Sequence, residues 1–200
     1  YPKLGYDPVK DFEPIGMIAK IPNILVVNPK LPIKNLADYV RYAKDSKDGI
    51  TFASSGSGSS IHLSGEMFKM QSKLKMLHVP YRGSAPAMTD LVGGQIPFTI
   101  DTVAAALPQL KAGKIKAIAV TGATRATQLP DVPTVAENGF AGFSADSWLA
   151  VVAPRGLPAD AKAKLHKALA DTMADTEIRN KLIASGLEPA YQPAGAVLAQ

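Results

Sequence analysis

The chain has 200 residues, enough for one large domain or two small ones, and 46% hydrophobic with 20% charged residues describes a globular protein with a core to bury. The absence of cysteine excludes disulfides, thiolate metal sites and a cysteine nucleophile, and His62, His78 and His166 show no metal-ligand spacing, so neither metal nor cofactor is expected. The net charge is +5 with a pI of about 9.3, yet the positive residues form no nucleic-acid footprint: Arg41, Lys44 and Lys47 mix with Asp45 and Asp48, and Lys69, Lys73 and Lys75 have no aromatics among them.

The opening YPKLGYDPVKDFEP, residues 1–14, is neither a signal peptide nor an amphipathic anchor and reads as chain laid over another part of the fold. No apolar run approaches the roughly 18 residues of a membrane span, so direct membrane insertion is not expected. Residues 15–19 and 24–27 are short apolar runs split by Pro22-Asn23, as in two buried strands or one broken crossover. Asn35 then caps a helix whose apolar face is Leu36, Tyr39, Val40 and Ala43, with Gly49 as its stop.

Residues 50–68, ITFASSGSGSSIHLSGEMF, read as strand, Ser/Gly loop and helix, with Leu63, Met67 and Met70 recurring at helical spacing. The first amides of a helix have no carbonyl partner within it and carry partial positive charge, so this layout is an anion cradle. Gly56 and Gly58 permit close backbone approach, Ser57, Ser59 and Ser60 add hydroxyls, and Ser59 or Ser60 serves as N-cap. The loop lacks the third glycine of a dinucleotide fingerprint, the Lys of a P-loop and a nucleophile elbow.

The unit repeats. Residues 75–81 are a strand, followed by Arg82-Gly83-Ser84 and a short helix with Ser84 as N-cap; residues 96–100 are a strand ending at Asp101, with Thr102 capping the next helix. Residues 115–120 are a fourth strand with its loop at Thr121. This alternation predicts a parallel α/β sheet with ligands outside the carboxyl ends of its strands, which gathers the Ser/Gly loop, residues 81–84, Asp101 and Thr121 on one rim. LPDVP, residues 129–133, is a rigid turn before a small helix; SWLAVVA, residues 147–153, reads as a near-continuous apolar strand. A helix with Leu165, Leu169 and Met173 on one face follows, then another capped by Asp175, and YQPAGAVLAQ has no terminator.

LGYDPVKDFEPI, SSGSGSSIHLSGEMF, HVPYRGSAPAMTDLVGGQIPF followed by Asp101, LKAGKIKAIAVT, and LPDVPTVAENG with a later SW together resemble the extracytoplasmic solute-binding proteins of tripartite tricarboxylate transporters, the Bug family. The resemblance implies a type II periplasmic-binding-protein-like α/β fold: two lobes, parallel-rich sheets with helices on both faces, and a small carboxylate clasped in the cleft by loops from each lobe. It implies a remnant of the first lobe and crossover over residues 1–23, a complete second lobe over 24–146, and a return strand with first-lobe helices over 147–200. Members carry a signal peptide and further first-lobe sequence before the equivalent of Tyr1 and continue beyond Gln200, so truncation at both ends is implied, as are a periplasmic location and membrane transporter subunits as partners.

Family proteins hold the carboxylate chiefly through loop amides, carried here onto Ser57, Gly58, Ser59 and Ser60. His62, four residues before Glu66, can orient a ring nitrogen to the ligand or pack as a cap, Arg82 can meet a second carboxylate, and Tyr81 is either cleft wall or packing. Asp101 at a strand end beside an anion site is costly unless it accepts bonds from loop amides, the role expected of it, or meets a ligand ammonium. Trp148 reads as hinge or core packing, with an aromatic cleft wall as the alternative. The alternative is a serine hydrolase-like enzyme using Ser57 or Ser59 with His62 and Asp101, which no elbow motif supports.

Overall fold

The computed structural model describes residues 4–197. In chain order it contains β1 (Phe12–Ile21), β2 (Asn23–Val27), α1 (Leu36–Asp45), β3 (Ile50–Ser54), α2 (Ser60–Ser72), β4 (Met76–Pro80), α3 (Ser84–Gly93), β5 (Phe98–Thr102), α4 (Val103–Lys111) and β6 (Lys116–Val120). After a 3-10 turn at Ala136–Asn138 come β7 (Ser147–Pro154), α5 (Ala159–Ala174), α6 (Thr176–Ala184), β8 (Glu188–Pro193) and α7 (Ala194–Val197). The chain divides into two units, one of residues up to Lys20 with those from Trp148 onward, the other Ile21–Ser147. The first three residues of the opening segment and the last three of YQPAGAVLAQ lie outside the described residues. Among the described residues, no helix is long and apolar enough to cross a membrane.

The unit Ile21–Ser147 holds a five-stranded sheet of order β4-β3-β5-β2-β6. β3 is parallel to β4 and β5, while β2 is antiparallel to both β5 and β6, so the sheet expected to be parallel is mixed. The apolar run Ile24–Val27 shows why this was not legible. A strand buried on both faces reads as one continuous apolar run whichever way it points.

Successive β2 side chains feed opposite faces. Leu25 and Val27 join Phe52, Phe98 and Ile100 against Leu36 and Tyr39 of α1 and Ile61 and Phe68 of α2. Ile24 and Val26 join Ala53 against Ala87 and Leu91 of α3 and Val103 and Ala106 of α4. Fully burying each of the larger side chains contributes about 1.5 to 3 kcal/mol.

Local signals placed most helix starts. Asn35 caps α1, Ser59 caps α2, Thr102 caps α4 and Asp175 caps α6, each through its side-chain oxygen. For α3 the N-cap is Gly83 rather than Ser84, because Ser84 Oγ is drawn away to Asp101. α1 stops at Asp45 rather than running to Gly49. In α2, Leu63, Met67 and Met70 keep the helical spacing read from the sequence but face outward, at 56%, 43% and 77% exposure, and the buried face is Ile61, Ser64, Gly65 and Phe68.

In the other unit, β7, β1 and β8 form a three-stranded sheet in that order, with β8 antiparallel to β1. β8 is not anticipated as a strand; the sequence there offers only the open-ended YQPAGAVLAQ. Ile15, Met17 and Ala19 of β1 are buried, whereas the apolar strand β7 leaves Trp148, Leu149 and Val152 exposed. Trp148 is therefore not core packing.

Candidate functional site

Because β3, β4 and β5 are parallel, their carboxyl ends reach one edge of the sheet, and each leads, directly or through a short loop, into the N-terminus of a helix, α2, α3 or α4. β2 starts at that same edge, where Ile24 lies opposite Asp101 on one side and Val120 on the other. The Ser/Gly loop, residues 81–83, Asp101 and Thr121 thus share one rim, as expected.

The first loop is turned inside out in the way an anion requires. The Gly56 carbonyl accepts from the Ser59 amide (3.3 Å), Ser59 Oγ (2.7 Å) and Ser54 Oγ (3.2 Å), so its negative end is spent within the protein. Gly56 and Gly58 make this turn with φ of 136° and 79°, values that side chains disfavour. The Tyr81 and Gly83 amides bond the carbonyls of Ser54 and Ser55 at 3.0 and 3.1 Å, tying the second loop to the first.

At the start of α2, Ser59 Oγ accepts the His62 amide at 3.2 Å, and His62 Nδ1 accepts the Gly58 amide at 3.0 Å. Only the first half of a capping box is present: the His62 side chain reaches past the N-cap to the Gly58 amide, because the Ser59 amide is already bonded to the Gly56 carbonyl. The amides of Ser57, Ser60 and Ile61 have no acceptor among the described residues. They are open donors at the positive end of a helix.

The other expected site residues are placed less directly. Tyr81 donates its hydroxyl to Asp90 Oδ2 at 2.7 Å, which pushes its phenol up, and Arg82 is exposed without an ion pair among the described residues. Asp101 is buried, 1% exposed; its Oδ1 accepts from Ser84 Oγ and from the Thr102 amide, both at 2.7 Å. It stitches the first residue of α3 to the cap of α4. Its Oδ2 has no partner among the described residues, and burial pushes the carboxyl up.

The hydrolase arrangement is not assembled. No hydrogen bond joins the Ser57 or Ser59 hydroxyl to a ring nitrogen of His62 among the described residues, and Asp101 is engaged with Ser84 and Thr102 instead.

A family model described as the tripartite tricarboxylate transporter family receptor matches residues 1–198. The chain belongs to that receptor family. An Agrobacterium vitis relative, the UPF0065 protein in the TAR-I ttuE-ttuC' intergenic region, is 36% identical over 192 residues, 96% of this chain and 56% of the relative. Two solved structures resemble it closely. R. palustris Rpa4515 with adipate superposes with TM-score 0.93 at 38% identity, over 100% of this chain and 67% of that one. MatC (Rpa3494) from Rhodopseudomonas palustris with bound malate gives 0.86 at 34%, over 100% and 69%. The chain thus spans a little over half the length of the curated relative. The family is one of receptors, not enzymes.

In this receptor-family chain, sequence reasoning missed a layer beneath the rim. Buried Asn23 donates to Ser64 Oγ (3.0 Å) and the Ala145 carbonyl (3.1 Å), and Thr121 Oγ1 donates to that carbonyl at 2.7 Å. Ser147 Oγ lies 3.1 Å from Asn23 Oδ1 and 2.6 Å from Ser60 Oγ, fixing the first residue of α2. The available signal was Asn23 itself, a polar residue opening an apolar strand, which must be satisfied when buried. His78 was also missed: its Nε2 is 2.6 Å from Ser54 Oγ, and its ring stacks on His62.

Proposed function

We propose that the rim of the unit Ile21–Ser147 binds a small carboxylate, and that the protein is a periplasmic solute-binding receptor that hands this anion to membrane transporter subunits. The observation that carries the reading is the set of open amides at Ser57, Ser60 and Ile61, beside a Gly56 carbonyl turned inward. Two or three charge-assisted bonds of about 1.5 to 3 kcal/mol each account for most of a micromolar affinity, about 8 kcal/mol. Gly58 and Ser59 shape the loop, His62 braces it, and Tyr81, Arg82 and Asp101 line or support the neighbouring turns. The similar structures that hold adipate and malate support a carboxylate as the ligand class.

Ser60 supplies the test. It is the first residue of α2, where proline is accepted, and Ser59 before it is extended, with ψ 159°, as a residue preceding proline should be. Ser60→Pro deletes one open amide; Ser60→Ala keeps the amide and loses only the hydroxyl. Titration calorimetry with adipate, malate, tricarboxylates, acidic amino acids and aromatic carboxylates, with chloride as control, should show micromolar binding of one class. Ser60→Pro should weaken it by roughly tenfold to a hundredfold relative to Ser60→Ala. Equal affinity for the two variants would refute the amide cradle.

A further inference from the structure

We propose that His62 is a proton-controlled positioning residue of the anion loop: neutral, it holds the Gly58 amide; protonated, it releases that amide to the anion, so that carboxylate capture takes up a proton. The proposal rests on the carboxylate-binding reading and deepens it.

A neutral imidazole has one donor and one acceptor nitrogen. Since Gly58 N–H donates to Nδ1, that nitrogen is unprotonated and the ring hydrogen sits on Nε2, 4.0 Å from Glu66 Oε1. Adding a proton places N–H against N–H, and the Gly58 bond cannot persist. Gly58 lies between the open amides of Ser57 and Ser60, so its released N–H joins the same cradle, and the imidazolium adds a positive charge beside it. The proton comes from solvent and stays on Nδ1 while the anion is bound.

The surroundings disfavour charging both rings at once. From its own helix it faces Glu66, which is also paired with Lys69 at 3.0 Å. From β4 it faces His78, ring on ring with centroids 3.9 Å apart and 18° between planes, an arrangement that disfavours two charges. His78 is the ring held neutral: its burial first, then the neighbouring His62, push its pKa below the usual imidazole range. On its other side lies Phe52, at 5.0 Å between centroids. Through Ser54 Oγ, which accepts the Gly56 amide at 3.1 Å, His78 keeps the Gly56 peptide fixed while His62 changes state.

Two measurements test this. In the ligand-free chain, NMR titration over about pH 5 to 8, the range in which imidazoles charge, should show the Gly58 amide shift following the His62 ring, and no such titration in His62→Gln. Calorimetry with adipate in buffers of different ionisation enthalpy should show uptake of up to one proton, with affinity rising as pH falls by at most about tenfold per unit; whatever affinity His62→Gln retains should show neither effect. A Gly58 amide that ignores His62 overturns the switch, and binding without proton uptake overturns the coupling alone. No binding of any carboxylate of the panel at any pH, with Gly58 still following His62, refutes the carboxylate reading and the coupling with it.

Discussion

Asp101 combines two hydrogen bonds on one carboxylate oxygen with burial of the other. Its raised folded-state pKa means that the folded chain keeps this proton to higher pH than the unfolded chain does. The stabilisation from that proton is complete below the ordinary carboxylate range and is lost as pH rises through the folded value. Asp101→Asn keeps the acceptor for Ser84 and Thr102 and abolishes this slope. Asp101→Ala strands both donors and should cost about 1 to 3 kcal/mol. Urea denaturation at pH 4, 5.5 and 7 should show the Asn variant gaining on the wild type as pH rises; a gap that stays constant would contradict this account. That the carboxylate would be costly was legible in the sequence. Its partner was not, because Ser84 lies seventeen residues away and reads equally well as a cap.

At the scale of the element, α2 shows how hydropathy alone misplaces a helix. Leu63, Met67 and Met70 have the spacing of an inward face, yet Ser64 and Gly65 are the positions at the sheet. Small residues there allow the backbone to approach closely, and a Cβ on Gly65 would overlap the Phe52 ring. Close approach also lets Ser64 reach Asn23 and brings the capped end of α2 to the rim. Gly65→Ala should therefore destabilise by about 1 to 3 kcal/mol through overpacking, although alanine is the better helix former by about 1 kcal/mol. Met70→Ala, on the exposed face, should change stability by less than about 0.5 kcal/mol. Thermal melts of the two variants decide it: a stabilising Gly65→Ala would mean that α2 does not sit against Phe52.

For the whole molecule, burial is uneven. The unit Ile21–Ser147 has a sheet covered on both faces, with β2 buried along its length, whereas α5 buries only Met173 and α6 has no buried residue. Amide exchange follows such differences, because opening a segment exposes only what it had buried. Hydrogen exchange read by mass spectrometry should find β2, β5 and the inner part of β3 slowest in this chain, and α5 and α6 faster by orders of magnitude. Equal protection in the two units would show that the helices hold more of the stability than their burial implies.

The sequence by itself determined what depends on neighbours along the chain: the helix caps at Asn35, Thr102 and Asp175, a cap for α2 at Ser59 or Ser60, the Ser/Gly loop opening a helix, and the placement of loops after strand ends. It also carried the family likeness, through blocks of residues kept in order. Tertiary structure alone decided the direction of β2, the buried face of α2, the Asn23 layer beneath the rim, and the stacking of His62 on His78. Each of these pairs groups far apart in sequence, and their energies come from burial and hydrogen-bond satisfaction that only the assembled sheet and its helices define.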